Sequence, residues 1–172
     1  MLAFFSVFLC SLSLHAANIE KPRIEVFKAK RELRVYAGDQ RIKTYRIALG
    51  SNPVPRKLRQ GDRATPEGSY FISYKNPRSK FHLSLAISYP NAGDAKRGLK
   101  SGLISRAEYK AIVQAAANQE TPPWTTKLGG EVFVHGKGSS TDWTWGCIAL
   151  NDADIEELYG LVPARTPITI HP

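Results

Sequence analysis

"EVFVHGKGSSTDWTWGCIALND" spans residues 131–152 and contains Cys147, one of only two cysteines in the 172-residue chain. The apolar run "VFVH" is typical of a strand that ends at His135, and "GCIAL" is typical of the start of another strand. If these strands pair antiparallel, their ends bring the imidazole of His135 near the thiol of Cys147. Because a thiol is a strong nucleophile only as a thiolate, a neighbouring base indicates nucleophilic catalysis.

Glycines follow the histidine and precede the cysteine. Gly136 and Gly146 allow close approach of the backbone, and Gly146 leaves room for successive amide N–H groups to point at one position, as an oxyanion hole requires. The alternative is a core cysteine and a hydrogen-bonded histidine on neighbouring strands, without chemistry. One cysteine and one histidine are too few ligands for a closed zinc site, so we expect neither a metal nor another cofactor.

The elements around this stretch are mostly strands. Alternating apolar and polar residues predict strands at 23–30, 31–38, 40–50, 69–76, 82–89 and 166–172, with loops at 50–68 and 90–98. Ser105 and Glu108 form a capping box that predicts a helix over 105–119, and Asn151 or Asp152 is predicted to cap a shorter helix that stops at Gly160. The pattern predicts a mainly β or α+β domain, similar to a β-sandwich, without the βαβ rhythm of a nucleotide-binding fold.

The N-terminus is typical of a secretory signal. Residues 1–14 are almost wholly apolar and uncharged, and "HAAN" supplies small residues at which a signal peptidase cuts. We predict a signal peptide over residues 1–17, cleaved after Ala16 or Ala17, and a single monomeric domain over 18–172 in the periplasm or cell envelope. The alternative is a retained N-terminal anchor, because no Lys or Arg precedes the apolar run. After cleavage Cys147 has no cysteine partner in the chain, so it is either a buried small hydrophobe or a nucleophile.

The net charge of the chain limits the classes of partner that it is expected to bind. The net charge is +9, and every charged residue follows position 17. A basic balance favours nucleic acid, an anionic membrane or an acidic polymer. Export argues against nucleic acid, and the basic residues are scattered rather than gathered in one patch. We therefore expect no nucleic acid and, once the signal is removed, no membrane as partner, whereas an anionic wall polymer fits both observations.

"VHG" followed by "TWGCIAL" resembles the motif of the L,D-transpeptidase catalytic domain, the YkuD-like family of bacterial wall enzymes. "RELRVYAGDQRIKTYRIALG" is similar to the opening strands of that family, and "GDRATPEGSY" to its "TPxGxY" segment. The resemblance implies a mixed β-sandwich with one or two packed helices. It also implies that Cys147 is the nucleophile, that His135 is its base, and that the carbonyl of Gly136 orients the imidazole. The amides of Trp145, Gly146 and Cys147 would hold the oxyanion.

The implied substrate is a peptidoglycan stem tetrapeptide. Cys147 would attack the carbonyl of the diamino acid and release the D-residue, and the thioester would pass to an amine or to water. Family members commonly carry Arg two residues after the cysteine and His before the Gly-Cys pair, where this chain has Ala149 and Trp145. The acceptor therefore stays open. Transpeptidation is the first prediction, an L,D-carboxypeptidase or amidase that uses water is the alternative, and a non-catalytic wall-binding module is the second alternative.

Four further residues are candidates for substrate binding. His82 is predicted to line the cleft beside Tyr89, or else to be a surface residue of its strand. Thr144 belongs to the cysteine motif. Trp143, like Trp145, is predicted to stack on substrate or to shield the thioester, or else to pack in the core.

Overall fold

The computed structural model of the chain describes residues 21–172, so the predicted signal peptide lies outside the described residues. Eight strands and three helices follow one another in this part of the chain. The strands are β1 (Pro22–Phe27), β2 (Glu32–Ala37), β3 (Gln40–Arg46), β4 (Gly68–Ser79), β5 (His82–Ile87), β6 (Phe133–His135), β7 (Ile148–Ala149) and β8 (Pro167–His171). The helices are α1 (Ala92–Lys100), α2 (Arg106–Ala117) and α3 (Asp152–Leu161).

All eight strands belong to one mixed sheet in the order β3-β2-β1-β8-β4-β5-β6-β7. Neighbouring strands are antiparallel except for two parallel pairs, β1 with β8 and β6 with β7. Just after β3 the chain pairs again, because Ala48 and Ala149 of β7 exchange two hydrogen bonds of 2.8 Å. Since β3 and β7 stand at opposite ends of the strand order, this pairing requires the sheet to curl round on itself. The curled mixed sheet with its helices confirms the predicted fold class.

The main hydrophobic core is built from alternate residues of the strands. Side chains on a strand point to opposite faces in turn, so Ile24 and Val26 of β1 are both buried. The same cluster includes Val134 of β6, Ile148 of β7 and Leu158 of α3. Burying one such side chain contributes about 1.5–3 kcal/mol. The two strands that carry the His and Cys motifs are therefore anchored in the main hydrophobic core.

The three helices include one that the sequence pattern does not predict. The predicted loop at 90–98 is wrong, because α1 occupies most of it. Asn91 and Asp94 form a capping box in which each side chain accepts the backbone N–H of the other residue, at 2.9 and 3.0 Å. Two glycines within α1 lower its helix propensity and hide it. The predicted helix at 105–119 is confirmed as α2, with its capping box at Ser105 and Glu108. Within residues 21–172, no helix is both long enough and apolar enough to cross a bilayer.

The pairing of β6 and β7 differs from the predicted antiparallel arrangement. The two strands are parallel, with Val134 opposite Ile148 and His135 opposite Ala149. The residues between them form a crossover rather than a hairpin, so the chain returns to the start of β6 before it enters β7. Cys147 consequently lies beside Phe133, whose amide donates a 3.4 Å hydrogen bond to its sulfur. Phe133 and His135 are two residues apart on one strand and share a face, so the thiol and the imidazole still reach the same cleft.

Candidate active site

Cys147 lies immediately before β7 and is half-buried. Its Sγ accepts the Phe133 N–H, and the thiol donates to the carbonyl of Glu131 at 3.6 Å. Burial raises the pKa of Cys147 to about 11, and the Phe133 amide and the charge of Lys57 offset only part of that increase. The thiol is therefore protonated at neutral pH.

His135 ends β6 and is only 2% exposed. Its Nδ1 lies 2.7 Å from the carbonyl oxygen of Gly136. A carbonyl can only accept, so Nδ1 carries the hydrogen and Nε2 keeps its lone pair. The ring of Phe81 stacks on the imidazole at 4.6 Å, and Trp143 meets it edge-on at 5.6 Å. This burial lowers the pKa of His135 below its ordinary value of 6.5, so the imidazole is a neutral base.

The orientation of the imidazole depends on Gly136, a position where a side chain would be crowded. A Cβ on Gly136 would lie 2.5 Å from Oδ1 of Asp152 and 3.0 Å from the carbonyl oxygen of Phe81. The Gly136 N–H donates to that same Phe81 carbonyl at 3.0 Å. The backbone of Gly136 is therefore fixed from both sides, and with it the carbonyl that receives Nδ1–H of His135.

The turn before the cysteine is held by Thr144. Its Oγ1 donates to the carbonyl of Cys147 at 2.7 Å and accepts the N–H of Gly146 at 3.2 Å. Gly146 has φ +125°, and a Cβ there would lie 2.8 Å from the carbonyl oxygen of Ala64. Since the Gly146 amide is engaged, it is not the free oxyanion donor that the resemblance implies. The amides of Trp145 and Cys147 have no acceptor within residues 21–172, which leaves those two donors open.

The thiol and the imidazole line one cleft of about 500 Å³. Arg78 at the end of β4 and Lys80 in the turn that follows supply positive charge to the cleft, and Glu131 supplies negative charge. Within the described chain none of these three residues belongs to an ion pair. The remaining lining residues are Asn76, Ser79, Phe81, Ser84 and Phe133. A cleft with both signs of free charge suits a ligand that carries both, such as a peptide with amino and carboxylate groups.

Three other residues that the sequence suggested for substrate binding lie outside the cleft lining. Tyr89 is a core residue, fully buried with its hydroxyl 3.1 Å from the Leu128 carbonyl, so the expected role in the cleft is wrong for this residue. His82 does not line the cleft either, because its Nε2 pairs at 2.6 Å with Glu156 of α3. Thr144 is buried and holds the turn rather than facing a substrate.

The two tryptophans of the motif have different surroundings. Trp143 contacts the base directly, and its Nε1 donates to the Gly138 carbonyl at 3.1 Å. Trp145 is 75% exposed, with the guanidinium of Arg63 lying 5.2 Å from its ring centre. Neither tryptophan is a core residue.

Several site residues have only weak sequence signals. Phe81 is an aromatic residue at a turn between two predicted strands, where small polar residues are the rule. That departure could have identified Phe81 from the sequence as a candidate site residue. Arg78, Lys80 and Glu131 look like ordinary surface charges in the sequence, and only the folded cleft distinguishes them. Among the residues described, no three His, Cys, Asp or Glu side chains are placed to hold a metal ion.

Comparison with known proteins gives a consistent result. The family model described as L,D-transpeptidase catalytic domain, YkuD, matches residues 21–170. The protein of Escherichia coli strain K12 named "Putative L,D-transpeptidase YafK" is 35% identical over 145 residues, which cover 81% of this chain and 46% of that protein. The chain thus spans about half the length of the curated relatives that it matches.

Solved structures share the fold at lower identity. The helical cell shape determining protein Pgp2 of Campylobacter jejuni superimposes with a TM-score of 0.62 at 23% identity, over 90% of this chain and 51% of that one. An L,D-transpeptidase from Mycobacterium smegmatis gives 0.54 at 11% identity, over 88% of this chain and 59% of that one. At these identities the likeness concerns the fold alone.

Proposed function

The chain belongs to the L,D-transpeptidase catalytic domain family, and from that membership we propose that it is a cysteine acyltransferase acting on peptidoglycan stem peptides. One observation carries the proposal. The 2.7 Å hydrogen bond from Nδ1 of His135 to Gly136 leaves Nε2 as an unprotonated base in the cleft that Cys147 also lines.

The reaction begins when Nε2 of His135 takes the thiol proton as Sγ of Cys147 attacks the carbonyl carbon of the diamino acid. The carbonyl oxygen becomes an oxyanion and accepts hydrogen bonds from the free amides of Trp145 and Cys147. Collapse of this intermediate breaks the C–N bond to the D-residue, whose nitrogen receives the proton from Nε2. The products are a thioester on Cys147 and a free D-amino acid.

Transfer of the acyl group to an amine, which forms a crosslink, is our first proposal for the second step. Hydrolysis by water, as in an L,D-carboxypeptidase or amidase, is the second candidate, and position 149 favours it. Position 149, two residues after the cysteine, is an alanine and so supplies no guanidinium. It is fully buried, and its backbone pairs with Ala48. An amine acceptor that needs a cation at this point for its carboxylate would bind less well.

The setting of this activity is also part of the proposal. We place the enzyme in the periplasm or cell envelope as a monomer of residues 18–172, after removal of the signal peptide 1–17. The family match over 21–170 supports these domain limits.

The test is mass spectrometry of purified protein lacking residues 1–17, incubated with disaccharide tetrapeptide, with Cys147→Ala as the control. A crosslinked dimer supports transpeptidation, and a tripeptide as sole product supports hydrolysis. An unchanged tetrapeptide with a reactive thiol points to another bond in the wall. Binding to isolated sacculi that survives Cys147→Ala, with an unchanged muropeptide profile, would instead support the non-catalytic wall-binding module.

A further inference from the structure

A buried ion pair lies in the loop between Gly50 and Gly68, behind the turn that carries the nucleophile. The side chains of Lys57 and Asp62 are 4% and 14% exposed, and their charged atoms are 2.9 Å apart. Nζ of Lys57 also donates to the carbonyl of Arg59 at 3.1 Å. Buried ion pairs contribute little net stability compared with apolar residues of the same size. Stability alone therefore does not explain a buried charge at this place.

Asp62 organises the loop around this lysine. Its carboxylate accepts the backbone N–H groups of Leu58, Arg59 and Ala64 at 2.7, 2.9 and 3.1 Å, besides the ammonium of Lys57. These donors offset the effect of burial and hold the pKa of Asp62 below its ordinary value. The carboxylate of Asp62 is thus ionised, and it holds both Nζ of Lys57 and the backbone at Ala64.

That backbone and that ammonium both contact the turn of the nucleophile. The carbonyl oxygen of Ala64 lies 2.8 Å from the point where a Cβ of Gly146 would stand, and Nζ of Lys57 lies 3.7 Å from the same point. Gly146 directly precedes Cys147 in the chain. The loop therefore places the ammonium of Lys57 next to the turn that bears the thiol and the proposed oxyanion donors.

We propose that Lys57 and Asp62 are a positioning pair that sets how strongly a negative charge on Sγ of Cys147 is stabilised. The ammonium of Lys57, which the Arg59 carbonyl also holds, stabilises the thiolate and the oxyanion across Gly146, and the negative charge of Asp62 opposes part of that effect. The inference rests on the proposed role of Cys147 as nucleophile, although its test needs no wall substrate. Because the pair is buried, its influence is screened much less by salt than that of a surface charge.

The test is the rate of alkylation of Cys147 by iodoacetamide between about pH 7 and pH 9, where the rate follows the thiolate fraction. Peptide mass spectrometry assigns the modified cysteine. Lys57→Met should slow alkylation about threefold to tenfold, as a rise of about half to one pKa unit requires. Asp62→Asn should accelerate it by a similar factor, because the amide oxygen and the Arg59 carbonyl still hold the ammonium, whose charge then acts unopposed. Lys57→Arg keeps the charge and should stay within about twofold of the unaltered protein.

Opposite changes of the alkylation rate in Lys57→Met and Asp62→Asn distinguish an effect on the thiolate from structural support of the loop. A merely structural pair would shift both variants in the same direction, and that result, or no shift in either, would overturn the inference. Melting temperatures identify any variant that fails to fold, and Lys57→Arg and Asp62→Asn still decide the question if Lys57→Met is lost. Opposite shifts together with an unprocessed tetrapeptide would uphold this inference while rejecting the proposed substrate.

Discussion

Cys147 and His135, the proposed nucleophile and base, are both kept neutral, and in both cases burial is the main cause. It raises the pKa of Cys147 to about 11 and lowers the pKa of His135 below 6.5. A thiolate–imidazolium pair would require the opposite shifts. The geometry therefore favours general-base catalysis, in which the thiol loses its proton to Nε2 of His135 only during attack.

The pH dependence of the reaction follows from the directions of these two pKa shifts. Because burial lowers the pKa of His135, the imidazole stays neutral at pH 6.5, so acylation of Cys147 should keep a constant rate from about pH 8 down to 6.5 and decline only at lower pH. Alkylation by iodoacetamide should rise steadily with pH, since no thiolate exists at low pH. Stopped-flow measurement of both rates checks this prediction. A reactive shoulder in the alkylation profile below neutral pH would reveal a preformed ion pair and contradict it.

Gly136 offers a second test at the scale of one residue. Gly136→Ala places a Cβ 2.5 Å from Oδ1 of Asp152, which can rotate away, and 3.0 Å from the backbone carbonyl oxygen of Phe81, which is held in the turn, so we expect the Gly136 backbone and the carbonyl that orients His135 to shift. We expect turnover to fall on the order of 100-fold, as small displacements of catalytic groups do. The measurement is the initial rate on disaccharide tetrapeptide, beside the melting temperature.

Gly160 supplies the matched control for that substitution. It lies in α3, where an added Cβ meets nothing within 4 Å. Gly160→Ala should leave the rate unchanged and raise stability by up to about 1 kcal/mol, because alanine favours helix. Normal turnover in Gly136→Ala would show that the carbonyl of Gly136 does not orient the base.

Among the elements, the β4–β5 hairpin supplies most of the residues that line the cleft. Phe81 covers the imidazole of His135, while Arg78 and Lys80 bring two cations that have no ion-pair partner in the described chain. These two cations line the cleft and are our candidates for binding a substrate carboxylate, given that Ala149 supplies none. The hairpin is thus expected to take part in binding rather than in proton transfer.

The double variant Arg78→Gln/Lys80→Gln tests this role. We expect KM for the tetrapeptide to rise about fivefold to 50-fold, which corresponds to about 1–2.3 kcal/mol of charge-assisted hydrogen bonding, with kcat nearly unchanged. Lys110→Gln, which removes an exposed lysine from α2, is the control and should leave KM as it was. Steady-state kinetics at low and high salt decide the matter. A fall in kcat at constant KM would place the two cations in the chemical step instead.

The elements also show how far the sequence could be interpreted. Period-two alternation identifies most strands, and the motif places His135 and Cys147 on one cleft, because these patterns follow directly from side-chain burial. The parallel pairing of β6 with β7 could not be predicted, since a loop of this length permits either a hairpin or a crossover. Tyr89 was misplaced for a related reason: strand periodicity does not show which buried face lines a cleft.

At the scale of the whole molecule, a second buried ion pair connects the sheet to the loop that supports the active site. Lys28 follows β1, and its Nζ contacts the Glu67 carboxylate at 2.6 Å. The same ammonium donates to the carbonyls of Pro55 and Thr65 at 3.0 and 3.4 Å. Thr65 in turn accepts the N–H of Gly50 through its hydroxyl. One lysine therefore holds both ends of the loop against β1.

Lys28→Ala should destabilise the whole domain because it leaves Glu67 buried with only a partial partner in the more exposed Arg56. Removal of one member of a buried pair costs about 3–5 kcal/mol, of which Arg56 can recover a part. Urea denaturation measures the free energy of unfolding. Lys30→Ala, two residues away and exposed, is the control and should change it by no more than about 0.5 kcal/mol. Equal stability of the two variants would mean that the loop is held by its backbone contacts alone, and that Lys28 does not determine how Lys57 and Asp62 meet the nucleophile's turn.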